Sequence, residues 1–231
     1  SVHAGISDYL PPISRVSTFD PRRHYPIDVA IVSLSTPNDQ AIARWAFLAA
    51  TSAQRCNRLG SSSPRSTSRL PRMFGERSIH VSDLDYIIEA DEPLPVIPNS
   101  SIGDAERQIG EYCASLIEDG STIQAGIGKL PNAVLDALSD KKDLGVHSEL
   151  FTTKMMELAE RGIINASKKT LHKGINVATV LEGTKELYDW AHDNPSVQLF
   201  PVEYVNDPGI IAKNDKLVSI NLASKLTCSV R

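Results

Sequence analysis

The stretch that most constrains how this chain can fold is Gly120–Leu150, GSTIQAGIGKLPNAVLDALSDKKDLGVHSEL. Ser121–Ala125 reads as a short strand. Gly126-Ile127-Gly128 is a tight turn, where missing Cβ atoms let backbone approach backbone or a ligand. Pro131 is expected at the first position of a helix, with Ala133, Val134, Ala137 and Leu138 as its apolar stripe. Leu144–His147 begins a second strand, and Ser148-Glu149 falls at its carboxyl end. Ligands of open parallel sheets bind at the carboxyl ends of strands. The glycine turn and the Glu149 carboxylate are therefore expected to face one cleft.

The rest of the chain repeats this alternation. Strands are expected at Tyr25–Leu34, Ile79–Glu92, Asn176–Leu181, Val197–Tyr204 and Leu217–Ala223. Helices are expected at Ser101–Asp119, Thr152–Arg161 and Thr184–His192. In the first of them Ser101 is the expected N-cap, and Ile102, Ile109, Cys113, Leu116 and Ile117 form the apolar face. Pro93–Ser101 reads as a linker or domain boundary. The fold class is α/β with mainly parallel sheets. With 231 residues, 41% of them hydrophobic, the chain can bury the core of one large or two small domains. A net charge of −4 gives no pull towards nucleic acid, and no apolar run is long enough to span a membrane. Cys56, Cys113 and Cys228 lack metal-ligand spacing and cannot all pair, so they read as free thiols in a reducing cytoplasm. A first residue of Ser rather than Met suggests a processed chain or a fragment.

Motif spacing removes two familiar readings. Gly126 and Gly128 are not a dinucleotide fingerprint, because Pro131 occupies the third glycine position, and GKLP lacks the ending of a phosphate-binding loop. Glu149 alone reads as a solvated surface residue. His147 shares its face by the two-residue period, as an acid–base pair or, more simply, as one partner of a structural hydrogen bond. Asn206-Asp207-Pro208 is turn chemistry first and a site second. Asp83 and Asp85 have no third ligand at metal spacing, so no metal is expected. Spacing reaches a soluble α/β enzyme with a cleft near Gly126–Glu149 and stops there.

Longer segments carry more. HVSDLDYIIEADEPLP from His80, LIEDGSTIQAGIGKLPNAVLDAL from Leu116, KKDLGVHSELF from Lys141, KTLHKG from Lys169, YVNDPGIIAKND from Tyr204 and SIN from Ser219 follow one another in order. Together they resemble the acetyl-CoA hydrolase/transferase family, most closely its 4-hydroxybutyrate CoA-transferase branch. The resemblance implies the NagB/RpiA/CoA-transferase-like fold, with two related open, mainly parallel α/β domains, here incomplete. Residues 1–95 would be the carboxyl part of the first domain. Residues 99–231 would be the amino part of the second, carrying a catalytic glutamate. That glutamate would be Glu149, a covalent nucleophile forming a glutamyl-CoA thioester. Asn206 would assist it and stabilise an oxyanion. Gly126, Ile127 and Gly128 would line the CoA and substrate site with backbone. Implied too are CoA as a substrate rather than a bound cofactor, no metal, and an acyl-CoA with a short-chain carboxylate (acetate, butyrate or 4-hydroxybutyrate) as partners. A cytoplasmic location and room for a homo-oligomer complete the expectation. The alternatives are acetyl-CoA hydrolysis and, in another class, non-catalytic sugar or phosphate binding on the same architecture.

Two windows depart from the resemblance. Gln40–Gly75 contains no Asp or Glu but gathers Arg44, Arg55, Arg58, Arg65, Arg69 and Arg72, and composition alone would make it a basic loop. Joining the third base of each codon to the first two of the next permits GYCSLGVS from Gln40–Leu48 and AEVN around Ser63–Thr67, both family-like. The same shift permits a family-like EVDLFGP from Ser224–Arg231. About Gln40–Leu70 and Ser224–Arg231 are therefore expected to be frame-shifted text, from an error in a gene fragment. Such windows lack a matched binary pattern and are expected to pack badly. The family's glycine-rich CoA segment is expected downstream of Arg231.

Overall fold

The computed structural model describes residues 30–44, 62–67, 70–76, 78–89, 93–98 and 101–222. Among these residues six short strands come first: β1 (Ala30–Ser35), β2 (Ile42–Arg44), β3 (Ser62–Thr67), β4 (Phe74–Gly75), β5 (Ser78–His80) and β6 (Ile88–Glu89). β3 lies between β1 and β6, all parallel, while β2 and β5 form an antiparallel pair.

The larger body follows. Its elements are α1 (Asp104–Ser115), β7 (Thr122–Ala125), α2 (Lys129–Asp136), β8 (Gly145–Val146), β9 (Leu150–Thr152) and α3 (Thr153–Glu160). Then come β10 (Asn176–Ala178), β11 (Val180–Glu182), α4 (Lys185–Ala191), β12 (Val197–Leu199), α5 (Val202–Val205), α6 (Pro208–Ile211) and β13 (Leu217–Ile220). Strands β13-β7-β8 and β10-β12-β4 are parallel sheets, joined by a parallel bridge from His147 to Val177. The six strands therefore run in the order β13-β7-β8-β10-β12-β4. The chain steps outward from β7 and then returns for β13 on the opposite side of β7. That reversal opens a crevice at the carboxyl ends of β7, β8 and β13. β9 and β11 form a separate parallel pair.

Helix α2 buries Val134 and Leu135 in the core and sets its backbone at Ala133 against Gly110 of α1. Ile123, Leu138, Leu144, Val146, Phe151, Met155, Leu181 and Leu199 fill the core around it, and Phe151 stacks on Trp190 at 5.7 Å. No helix among the described residues is long and apolar enough to cross a membrane.

Several element boundaries differ from the sequence expectation. α1 starts at Asp104 with Gly103 as its N-cap, whose N–H donates to Glu106 Oε2 at 3.1 Å, so Ser101 is not the cap. Its inward face carries Gly110 and Ala114, with Leu116 81% exposed and Ile109 44% exposed. α2 begins two residues before Pro131, after an N-cap at Gly128. Asn176–Leu181 divides into β10 and β11, because the N–H groups of Thr179 and Val180 both turn to the Glu149 carbonyl. The strand expected through Tyr204 stops at Leu199, where Pro201 opens α5. Ile79–Glu92 is broken after His80, whose ring accepts from the Ser82 N–H and curls the chain.

Within the window expected to pack badly, Ile42–Arg44 and Ser62–Thr67 form regular strands; residues 45–61, 68 and 69 lie outside the described residues, as do 223–231. Ladder bonds come from backbone alone, which every sequence carries. Pro64, opposite Val32 in the middle strand, offers no N–H to its ladder. Arg44 is held by its guanidinium on the Met73 carbonyl at 2.9 Å and over the Phe74 ring.

Candidate active site

Glu149 sits three residues beyond β8, immediately before β9, and is half-buried. Its backbone is held before its side chain is considered. The Glu149 carbonyl accepts from Thr179 N and Val180 N, each at 3.0 Å, and the preceding Ser148 N–H donates to the Val177 carbonyl at 3.1 Å. On the other side, the His147 N–H donates to Ile123 O at 3.0 Å, and Ser148 Oγ donates to Ala125 O at 3.2 Å. Strands β7 and β10 thus grip Glu149's strand from both edges.

The side chain meets Asn206, whose Nδ2 donates to Glu149 Oε2 at 2.9 Å. Asn206 is placed by a rigid turn. Its N–H closes α5 onto Val202 O at 2.8 Å, and next to it Asp207 Oδ1 caps α6 by accepting from Gly209 N and Ile210 N. His147 and Glu149 lie two apart on one strand and engage successive residues of this turn. His147 Nε2 donates to Val205 O at 2.9 Å. A carbonyl only accepts, so Nε2 carries the hydrogen, and burial pushes the imidazole below its ordinary pKa. The ring is therefore a neutral structural donor. It makes no hydrogen bond to Glu149, and its buried Nδ1 has no partner among the described residues.

Glu149 and Asn206 share the wall of a cavity of about 160 Å³ with His147, Gln124 and Ser219. Val205, Ile211 and Leu217 supply its apolar part. Gln124 of β7 and Ser219 of β13 are register partners, and Gln124 Oε1 accepts from both Ser219 Oγ and Asn221 Nδ2. Gly126, Ile127 and Gly128 follow β7 at the same sheet end but are not among the residues lining this cavity, and Ile127 is 55% exposed. Gly126 reaches the group indirectly: a Cβ there would stand 3.3 Å from Asn221 Oδ1.

Sequence reasoning missed Gln124, Ser219 and Asn221 as a unit. The available signal was a polar residue on each of two otherwise apolar strands, meaningful only once the register is known. It also missed Lys169, which lies behind β8 with Nζ donating to Val146 O and Ile175 O, both at 2.8 Å. Burial lowers its pKa to about 7. Among the described residues no group of three His, Cys, Asp or Glu side chains is gathered as metal ligands would be.

The geometry can be set beside known proteins. Residues 183–229 match the family model of the acetyl-CoA hydrolase/transferase C-terminal domain. The chain is 43% identical over 222 residues to 4-hydroxybutyrate coenzyme A transferase of Clostridium kluyveri, covering 96% of this chain and 52% of that protein. It is 37% identical to succinyl-CoA:cyclohexane-1-carboxylate CoA transferase of Geobacter metallireducens, covering 96% of this chain and 51% of that protein. Among solved structures, 4-hydroxybutyrate CoA-transferase from Porphyromonas gingivalis superposes with a TM-score of 0.84 at 41% identity, over 90% of this chain and 53% of that one. The chain spans about half the length of the curated relatives it matches.

Proposed function

The chain belongs to the acetyl-CoA hydrolase/transferase family, and on that premise we propose that its protein moves CoA between an acyl-CoA and a short-chain carboxylate through Glu149. The single observation that carries the reading is the Glu149–Asn206 pair, a carboxylate at the crevice with one oxygen engaged by a neutral donor. Oε1 keeps its lone pairs for attack. A neutral partner orients the carboxylate without cancelling its charge, as an ammonium or guanidinium would.

The chemistry follows in balanced steps. A Glu149 oxygen adds to the acyl carbonyl carbon, and collapse of the oxyanion breaks the C–S bond, giving a mixed anhydride and CoA thiolate. The thiolate adds to the glutamyl carbonyl and expels the acyl group as its carboxylate, leaving a glutamyl-CoA thioester. An incoming carboxylate reverses both steps, so the new acyl-CoA leaves and Glu149 is regenerated. CoA is a substrate throughout. The apolar walls at Val205, Ile211 and Leu217 suit the short chain of an acid of a few carbons. In the two-domain division read from the sequence, 1–95 and 99–231, the second part carries every residue of this cavity. Free thiols and a cytoplasmic setting belong to the same reading.

Incubation with acetyl-CoA followed by borohydride or hydroxylamine is expected to trap an adduct on Glu149. Glu149→Gln is expected to lose the adduct and to lower turnover by at least about 10³-fold, the scale seen when an acting group is removed. Turnover that survives Glu149→Gln, or an unlabelled Glu149, overturns the mechanism. CoA release independent of added carboxylate would instead assign hydrolysis.

A further inference from the structure

We infer that Gln124 contacts substrate in this site, its Nε2 donating to an oxygen of the small acid or acyl group that Glu149 processes. The inference rests on the Glu149 reading above and adds a donor to it.

Gln124 is the polar residue of β7, flanked by Ile123 and Ala125, and it faces Ser219 across the parallel ladder. Its amide is oriented by two neighbours. Oε1 accepts from the Ser219 hydroxyl and from Asn221 Nδ2 at 3.1 Å, and Asn221 Nδ2 also donates to Ser219 Oγ at 2.8 Å. With the acceptor end engaged twice, the two Nε2 hydrogens are the end left over, and they have no partner among the described residues. Gln124 lines the same cavity as Glu149 and Asn206, so an occupant of that cavity is what those hydrogens can bond. The arrangement extends to the backbone, because Gly126 leaves the space in which the Asn221 amide lies.

Chemistry favours an oxygen of a carboxylate or thioester as the occupant's acceptor. The cavity's apolar walls accept a short hydrocarbon chain but cannot satisfy the oxygens of an acid. Asn206 already bonds the protein's own carboxylate. Gln124 then supplies the donor for the substrate. As a neutral amide it binds a carboxylate without forming an ion pair with Glu149 between turnovers, and a fixed donor needs no reorganisation when charge develops on the acyl oxygen.

The test uses the protein that carries this chain, with two isosteric changes. Gln124→Met keeps the length and removes the amide. Gln124→Glu keeps an acceptor for Ser219 and Asn221 but replaces the donor with an oxygen. Both are expected to lower kcat/KM for the carboxylate about 10- to 100-fold, while the final extent of Glu149 labelling is unchanged. Ser219→Ala, which only loosens the amide, is expected to lose less than either. In the unsubstituted protein, titrated acetate is expected to shift the side-chain amide NMR signals of Gln124, assigned by through-bond correlation to its own backbone amide. Unchanged kcat/KM in both variants overturns the inference. If the variants fail to fold, amide signals unmoved by saturating acetate overturn it. Failure of Glu149 to label in the unsubstituted protein strikes the Glu149 reading instead, and the acetate titration then decides Gln124 alone.

Discussion

Lys169 is a buried amine directly behind the strand that leads to Glu149, 3% exposed, with its stem packed over Gly145. Two carbonyls meet its Nζ, and a neutral amine has two hydrogens to give them. The third hydrogen of an ammonium would have no acceptor there, in keeping with a pKa lowered to about 7 by burial. Between about 7 and the ordinary 10.5 the unfolded chain holds a proton that the folded chain lacks. Stability therefore rises with pH across that window, by at most about 1.4 kcal/mol per pH unit from this group. Lys169→Met is expected to remove that slope. Urea denaturation of both proteins at several pH values from neutrality to mild alkali checks it, and parallel pH profiles would refute the assignment. This residue shows where reading a sequence ends. Glu149, Asn206 and the glycine pair stand in recognisable motifs, and the fold brings Glu149 and Asn206 into contact. A lysine in KTLHKG gives no sign that it is buried, since burial belongs to the elements around it.

At the scale of elements, periodicity located β7, α2, α3 and α4 well, because each carries one apolar face and a clear stop. It was right only in part about α1: Cys113 and Ile117 join the core as expected, but Ile109 and Leu116 lie outward while Gly110 and Ala114 face in. Close approach decides this. A Cβ on Gly110 would lie 2.6 Å from the Ala133 carbonyl oxygen of α2, so the two backbones meet where a large residue cannot fit. Gly110→Ala is expected to destabilise by about 1–3 kcal/mol through this contact, even though alanine is the better helix former by about 1 kcal/mol. A lower denaturation midpoint at unchanged m-value is the expected reading, and a stabilised variant would show that α2 can shift aside. β10 and β11 were read as one strand for a related reason: the divide is made by hydrogen bonds to Glu149, 30 residues away in sequence from Thr179.

Over the whole molecule, the segment before the Pro-rich linker is sewn to the body after it. Leu70 and Met73 lie in the main core, and β4 is the edge strand beside β12. Arg72 pairs with Asp193, and the linker itself is tied to the same body: the Tyr188 hydroxyl donates to Pro95 O at 3.0 Å, and the Ile97 N–H donates to Gly183 O at 2.9 Å. The seam depends on Gly75, at φ +121, where a Cβ would fall 2.1 Å from the Leu199 carbonyl oxygen. Gly75→Ala is expected to cost about 2 kcal/mol or more and to raise hydrogen exchange across Leu70–Glu76 and Leu199 before the rest of the sheet responds. Uniform exchange in the variant would refute a local seam. The order β13-β7-β8-β10-β12-β4 has a further consequence, in time. Gln124 and Ser219 are neighbours in space but 95 residues apart along the chain, so their pairing is among the most distant the sheet must make. Such contacts close slowly, after nearer ones have formed. In a newly made chain β13 is therefore expected to pair with β7 after β8 has done so, and the crevice wall that carries Ser219 is the later of the two to close beside Gln124.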